Sequence, residues 1–326
     1  MRNIFITGGA GYVGAALTPH LLEKGYSITV FDLMIYGEEV LKPHKNLTII
    51  KGDIRDQELL KNSLKGQDVV IHLACISNDP SFELDPKLGK SINLDSFEPL
   101  VKISNQQRIK RFIYASSSSV YGIKESNDVN ETMSLEPLTD YSKFKALCEK
   151  TLLKYNSENF TTIIIRPATV CGYSPRQRLD VVVNIFTNLA YHNRKISIFG
   201  GNQLRPNIHI EDMVRAYELL ITSPVKKVSG EIFNAGYHNH TVSELGNIVK
   251  EKIGNDVVLE TIESSDNRSY HISSEKIKKI LGFNASKNIG DAVLDLKKAF
   301  DNNLLPNSLE DEKYFNIKKM NNIKLT

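Results

Sequence analysis

The chain has 326 residues, 41% hydrophobic and 24% charged, the balance of a soluble globular protein with a sizeable core in one large or two smaller domains. The net charge of +3 is spread thinly, which argues against a nucleic-acid partner and suits an anionic, phosphate-bearing small molecule. No apolar run reaches membrane-spanning length, no secretory signal opens the chain, and Cys75, Cys148 and Cys171 are too few and too scattered for a disulfide framework or a zinc site, so a cytoplasmic protein without a membrane partner or a metal is expected.

Residues 3–7 (NIFIT) read as a short buried strand, and residues 12–24 as a helix with Val13, Leu17, Leu21 and Leu22 on a helical period. Between them runs TGGAGYVG, residues 7–14. Glycine is costly in chain entropy, so such a cluster marks a backbone under tight steric demands. Gly8 allows a tight turn, Gly11 lets the backbone approach a pyrophosphate, and Gly14 lets helix and strand pack closely. The helix start, at Tyr12 and Val13, then aims free N–H groups at the phosphates. Gly9, Gly11 and Gly14 also satisfy the dinucleotide fingerprint literally. A plain strand–helix turn is the competing reading, and context weighs against it. Residues 26–31 (YSITVF) form a second strand with Asp32 at its C-terminal end. A carboxylate there accepts hydrogen bonds from adenosine ribose hydroxyls and repels a 2′-phosphate, which favours NAD over NADP.

Residues 47–51 are a third strand, followed by Gly52, Asp53 and Ile54. Further strands are expected at 68–74, 110–116 and 160–166, with helices at 86–106 and 141–156. Such alternation predicts an α/β fold with a doubly wound parallel sheet, of the Rossmann type, whose ligands bind beyond the carboxyl ends of the strands. Residues 1–166 form this NAD-binding domain. After Arg166 and Pro167 the strands shorten (196–199, 231–234, 257–261) and helices separate them (179–191, 211–222, 242–253, 273–281). Residues 167–300 are therefore expected to form a smaller C-terminal α/β substrate-binding lobe, with 231–234 returning to the first sheet. Residues 301–326 read as a polar, poorly ordered tail.

Tyr141 and Lys145 are one helical turn apart and share a face. A free tyrosine titrates near about 10 and is a poor base at neutral pH. A lysine ammonium beside it, with a positive nicotinamide ring, favours the phenolate and brings the proton acceptor nearer the working pH. The pair alone is common on ordinary amphipathic helices. Upstream, Ser116, Ser117, Ser118 and Ser119 follow the fifth strand, where hydroxyls point into the cofactor cleft; by itself the stretch also reads as a serine-rich loop.

The combination of TGGAGYVG, Asp32, the Gly52, Asp53, Ile54 step, the His72, Leu73, Ala74 step, SSSSVYG and YSKFK resembles the extended short-chain dehydrogenase/reductases, in their nucleotide-sugar epimerase/dehydratase group. The resemblance runs over residues 1–299, strongest in the first half. It implies that Tyr141 is the catalytic base, that Lys145 binds the nicotinamide ribose and lowers the tyrosine's pKa, and that Ser117 is the catalytic hydroxyl beside the substrate, with Ser118 next to it. It places Asp53 and Ile54 at the adenine, and Leu73 and Ala74 under the pyrophosphate and ribose. Arg205 and Arg268 take the place of arginines that reach the substrate's diphosphate, where guanidinium–phosphate pairing is bidentate; an ordinary surface charge is the alternative for each. Asp212 is expected to cap a helix rather than touch ligand. The partners implied are a nucleotide-diphosphate sugar and a second copy of the chain, a homodimer built through the helices at 86–106 and 141–156.

Dehydratases of the group carry an Asp–Glu pair directly after the serine or threonine position; here Ser118 and Ser119 stand there. Ketoreductases commonly prefer NADPH, which Asp32 disfavours. An NAD-dependent epimerase acting at C4 through a transient keto sugar is the expectation. A ketoreductase or decarboxylase on the same scaffold, or a non-catalytic NAD sensor, is the alternative; sensors typically lose the Tyr–Lys pair that this chain keeps. The loop from Cys75 through Asn78 and Asp79, Cys171 in place of tyrosine, and Arg205, Pro206 and Asn207 in place of Arg–Asp–Phe depart from a typical UDP-glucose 4-epimerase. They point to an unusual sugar, with Asn78, Asp79 and Arg176 as candidate contacts. Cys171 reads as a buried small residue, since nothing near it in sequence activates a thiol.

Overall fold

The computed structural model describes residues 1–77, 79–126, 128–263 and 269–323. Asn78 and Arg268, two expected substrate contacts, lie outside the described residues.

In β1 (Asn3–Thr7) Ile4, Phe5 and Ile6 are fully buried, so the strand is apolar on both faces, as a central parallel strand requires. The glycine turn and α1 (Gly14–Glu23) lead to β2 (Ser27–Asp32), β3 (Leu47–Lys51), α2 (Gln57–Ser63) and β4 (Val69–His72). Next come α3 (Asp79–Glu83), α4 (Pro86–Lys90) and α5 (Phe97–Gln106), then β5 (Arg111–Ala115), α6 (Asp140–Leu153) and β6 (Thr161–Pro167). These six strands lie in the order β3-β2-β1-β4-β5-β6, all parallel. Winding reverses between β1 and β4, so a crevice opens beyond their carboxyl ends. Gly8 sits there with φ +72°, and a Cβ on it would lie 2.5 Å from the Ala74 nitrogen. A Cβ on Gly14 would lie 2.5 Å from the Gly8 oxygen. Thr7 and His72 tie the two strand ends together at 2.7 Å, and burial drives His72 down to about 3, so it stays neutral.

The single helix expected over 86–106 is broken. Its middle widens into a π-type turn at Ser91–Asp95. The turn carries the buried Asn93, whose amide bonds both the N–H (2.8 Å) and the C=O (2.9 Å) of Ile76. That pair of bonds, made to a loop that lines the crevice, supplies the local reason for the irregularity.

The second half contains β7 (Thr169–Cys171), α7 (Val182–Asn193), β8 (Lys195–Phe199), β9 (Leu204–His209), α8 (Ile210–Thr222) and α9 (Val225–Val228). It continues with β10 (Glu231–Ala235), β11 (His238–Thr241), α10 (Val242–Ile253), β12 (Val258–Ile262), α11 (Glu275–Leu281), α12 (Ile289–Asp301) and α13 (Asn316–Asn322). Strand β10 returns to the main sheet beside β6, in parallel. The others make a three-stranded sheet, β11-β9-β7, and a pair, β12-β8. Three of these strands have no sequence signal: β9 contains Pro206, β11 is wholly polar (HNHT), and β7 is three residues long.

Two expectations need correcting. Asp212 is not a helix cap: His209 caps α8, while the fully buried Asp212 accepts from Ser286 and Lys287 N–H and pins that loop to the helix. The polar tail is not loose either. Leu305 and Tyr314 are buried against Leu179, Leu296 and Phe300, and the segment then folds into α13. Among the described residues no helix is long and apolar enough to cross a membrane.

Candidate active site

A cleft of about 550 Å3 lies at the carboxyl ends of the central strands, within the usual size range of small-molecule sites. Its floor is the glycine turn: Gly8, Gly11, Tyr12 and Val13 line it, with Leu73 and Ala74 packed directly beside Gly8. Asp32 lines it at the end of β2 and accepts from the N–H groups of Ala10 (3.0 Å) and Met34 (2.8 Å). Burial still raises its pKa above the ordinary carboxylate value. Ile54 faces the cleft but Asp53 does not: its carboxylate is forked onto the Arg55 guanidinium two residues on, at 3.0 Å to Nε. The two-residue spacing is what lets Arg55 reach back onto the Asp53 carboxylate. A turn that leaves no room for side chains, a helix N-terminus and a carboxylate one strand away together fit a dinucleotide.

The other half of the cleft is built on α6. Thr139 caps this helix by accepting from Ser142 N–H at 3.3 Å, and the Ser142 hydroxyl accepts from Thr139 N–H at 3.1 Å. The cap fixes the first turn, which carries Tyr141. One turn on, the Lys145 ammonium donates to the Ala115 carbonyl at 2.7 Å and lies 5.7 Å from the Tyr141 ring centre. A further turn on, Glu149 is buried, accepts from the Ser116 hydroxyl and takes a two-pronged ion pair from Arg166 at 2.9 and 2.6 Å. Arg166 also donates to the Tyr121 hydroxyl at 2.7 Å, which donates in turn to Asn234 of β10. The stripe Tyr141, Lys145, Glu149 is thus held to the end of β5 at two successive residues. Ser117 lines the cleft beside them; its hydroxyl lies 2.8 Å from that of Ser119 and accepts the Ser119 N–H. Ser118 is buried and also faces the cleft.

Loops from both halves of the chain close the top. Arg176 is buried with its guanidinium 3.4 Å from the Tyr36 ring centre, and Arg178 pairs with Asp180 at 2.5 Å. Burial alone would lower the Arg178 pKa; Asp180, with smaller help from Tyr36 and Tyr141, raises it instead. Arg205 lines the cleft beside Tyr270. The structure therefore brings Gly8, Gly11, Tyr12, Val13, Asp32, Ile54, Leu73, Ala74, Ser117, Ser118, Tyr141, Lys145, Arg176 and Arg205 to one cavity. It leaves Asp53 outside. The backbone of Asp79 opens α3, and Cys171 is buried, its thiol pushed up by that burial. Sequence reasoning missed Tyr36, Ser77, Arg178, Asp180 and three residues of α13, which line the same cleft. The closely spaced charges of PRQRLD were the available signal for Arg178 and Asp180.

This combination of fold and site has counterparts. The model of the NAD dependent epimerase/dehydratase family matches residues 4–236, and the chain belongs to that family. The dTDP-D-glucose 4,6-dehydratase of Dictyostelium discoideum is 31% identical over 279 residues, 78% of this chain but only 62% of that protein's length. The crystal structure of DesIV, a dTDP-glucose 4,6-dehydratase from Streptomyces venezuelae with NAD bound, superposes with a TM-score of 0.85 at 22% identity, over 95% of this chain and 100% of that one. The UDP-glucose 4-epimerase of Thermotoga maritima with UDP-glucose gives 0.84 at 26% identity, over 93% and 100%. The family's cofactor is NAD, and the cleft fits it.

Proposed function

We propose that this protein is an NAD-dependent nucleotide-sugar epimerase that inverts C4 through a transient keto sugar. One observation carries the choice over a dehydratase. Among the residues whose side chains the structure describes, the cleft holds two carboxylates, Asp32 and Asp180. Asp32 bonds backbone at the end of β2, and Asp180 pairs with Arg178. Removal of water from the sugar needs an acid for the leaving hydroxyl and a base for the neighbouring C–H. The positions after Ser117, where dehydratases of the group carry that pair, hold Ser118 and Ser119.

In this reading bound NAD supplies the hydride acceptor and donor. Tyr141 takes the proton from the sugar hydroxyl, and the Lys145 charge favours its phenolate. Ser117 holds the same oxygen by a hydrogen bond as it becomes a carbonyl. The keto sugar turns over in the cleft, and Tyr141 returns the proton on the other face. Arg205, with Arg268, is assigned to the diphosphate and Asn78 to the sugar; Arg176, expected at the sugar, instead stacks on Tyr36 beyond β2, and two copies of the chain pair through α5 and α6.

The test is turnover without added cofactor. Purified protein is denatured to identify the nucleotide it carries, then incubated with UDP- and dTDP-hexoses. Retained NAD and an equilibrium mixture of two C4 epimers are expected. A product lighter by one water, or a stoichiometric demand for NADPH, overturns the reading in favour of a dehydratase or a ketoreductase.

A further inference from the structure

The C-terminal helix occupies a place for which nothing in the proposed chemistry accounts. Asn316, Ile317 and Met320 of α13 line the same cleft as the glycine turn and Tyr141. They are spaced i, i+1 and i+4, one face of a helical turn, and the remaining positions are polar. Met320 packs on the apolar cluster that contains Phe31 and Ile54, which themselves line the cleft. The helix therefore borders the cleft beside Tyr36, Phe31 and Ile54, at the end of β2 that carries Asp32.

Lys319 and Asn322 tie the helix back to Glu312 in the preceding turn, and one residue makes its polar contacts with the cleft wall. Asn316 is buried, at 4% exposure, and each of its hydrogen-bonding groups reaches a different part of the cleft wall. Its side-chain oxygen accepts from Arg176 at 2.6 Å and from the Tyr36 hydroxyl at 3.1 Å. Its amide nitrogen donates to Ser77 at 2.8 Å, and its backbone N–H donates to Asp180 at 2.8 Å. Tyr36 follows β2, Ser77 follows β4, and Arg176 and Asp180 follow β7. The contacts thus join loops from both sides of the crevice. Seven residues are too few for a helix to persist alone, so α13 stays folded only while it is docked. Tyr314, just before it, is anchored separately in a buried apolar cluster, and its carbonyl accepts from Leu179 N–H at 2.8 Å. The helix can leave the cleft without unfolding what precedes it.

We propose that α13 is a strap that retains the dinucleotide in the cleft between turnovers, with Asn316 as its latch. The proposal rests on the cleft's being the NAD site, and it holds whether the enzyme epimerises or dehydrates. It is tested on full-length protein loaded with radiolabelled NAD, by following label release into excess unlabelled NAD. Asn316→Ala removes three side-chain hydrogen bonds and should speed release roughly tenfold or more. A chain ending at Phe315 should do so at least as strongly, while Asn321→Ala, on the exposed face, leaves the rate unchanged. Unchanged circular dichroism establishes that the variants are folded. Wild-type release rates in both Asn316→Ala and the shortened chain overturn the proposal. So does faster release of bound UDP-glucose with NAD release unchanged, which places the strap over the sugar instead. If wild-type protein takes up no NAD at all, the cofactor reading fails first and the strap with it.

Discussion

Helices α6 and α13 line one cleft and are held to it in opposite ways. α6 is anchored by charge: Lys145 on the Ala115 carbonyl, and Glu149 on both the Arg166 guanidinium and the Ser116 hydroxyl, with the ion pair 2–3% exposed. Removing either partner of such a pair strands a charge in a medium that cannot solvate it. α13 meets the cleft wall through one asparagine and two apolar side chains, its other polar bonds running back to Glu312, and each hydrogen bond it loses can be replaced by water. The difference suits the tasks assigned to them. A base must stay within hydrogen-bond reach of the hydroxyl it deprotonates. A covering element must come away at least once for the cofactor to enter.

The strongest way to break the comparison is at the chemistry itself. Tyr141→Phe should cut turnover by about 10²–10⁴-fold, the usual worth of a positioned acid–base group, and leave bound NAD in place. Steady-state rates on the responding nucleotide sugar, with the released nucleotide quantified, check both halves of that statement.

Next comes the anchor of α6. Glu149→Ala leaves Arg166 buried without its counter-charge and should cost about 3–5 kcal/mol of stability, read from urea unfolding. Asn321→Ala on α13 serves as the neutral reference. A Glu149 variant no less stable than that reference means α6 is held by packing alone.

The floor of the cleft is a smaller target. A methyl group on Gly14 meets the Gly8 carbonyl, so Gly14→Ala should lose about 1–3 kcal/mol and weaken NAD binding together. Calorimetry of unfolding and of NAD titration separates the two losses.

Asp68 gives the smallest effect, on the side of the sheet away from the cleft. Burial pushes its pKa up, but the N–H groups of Arg2 and Asn3 and the Lys110 ammonium outweigh that and hold it at about 2, against 3.8 for the free group. The folded-state value is the lower one, so Asp68 stabilises the fold above its unfolded value, and this contribution is lost as the pH falls from about 4 toward 2. Asp68→Asn should flatten the acid limb of the stability curve there and leave α6 and α13 untouched, as acid titration followed by circular dichroism will show.

What could be read from the sequence follows the same division. The glycine turn and the Tyr141–Lys145 step are each written in residues a few positions apart, and Asp32 closes the very next strand, so spacing along the chain carries them. Asn316 bonds Ser77 across 239 positions and Arg176 across 140, and no periodicity encodes such contacts. A lysine- and asparagine-rich stretch reads as solvated because its two apolar cleft residues, Ile317 and Met320, are too few to register as a face. Asp53 shows the converse: its neighbour Ile54 lines the cleft, while its own carboxylate is held by Arg55, two residues away. The widened turn at Asn93 was hidden because its cause is the loop at Ile76 and not the helix itself.

Epimerisation and dehydration send one hydrogen to different carbons. A nucleotide hexose carrying deuterium at C4 is incubated with the enzyme, with no cofactor added, and the product is examined by NMR and mass spectrometry. Epimerisation through the retained NAD predicts two C4 epimers of unchanged mass, with deuterium at C4 in both. Deuterium at another carbon, or a product lighter by one water, contradicts it.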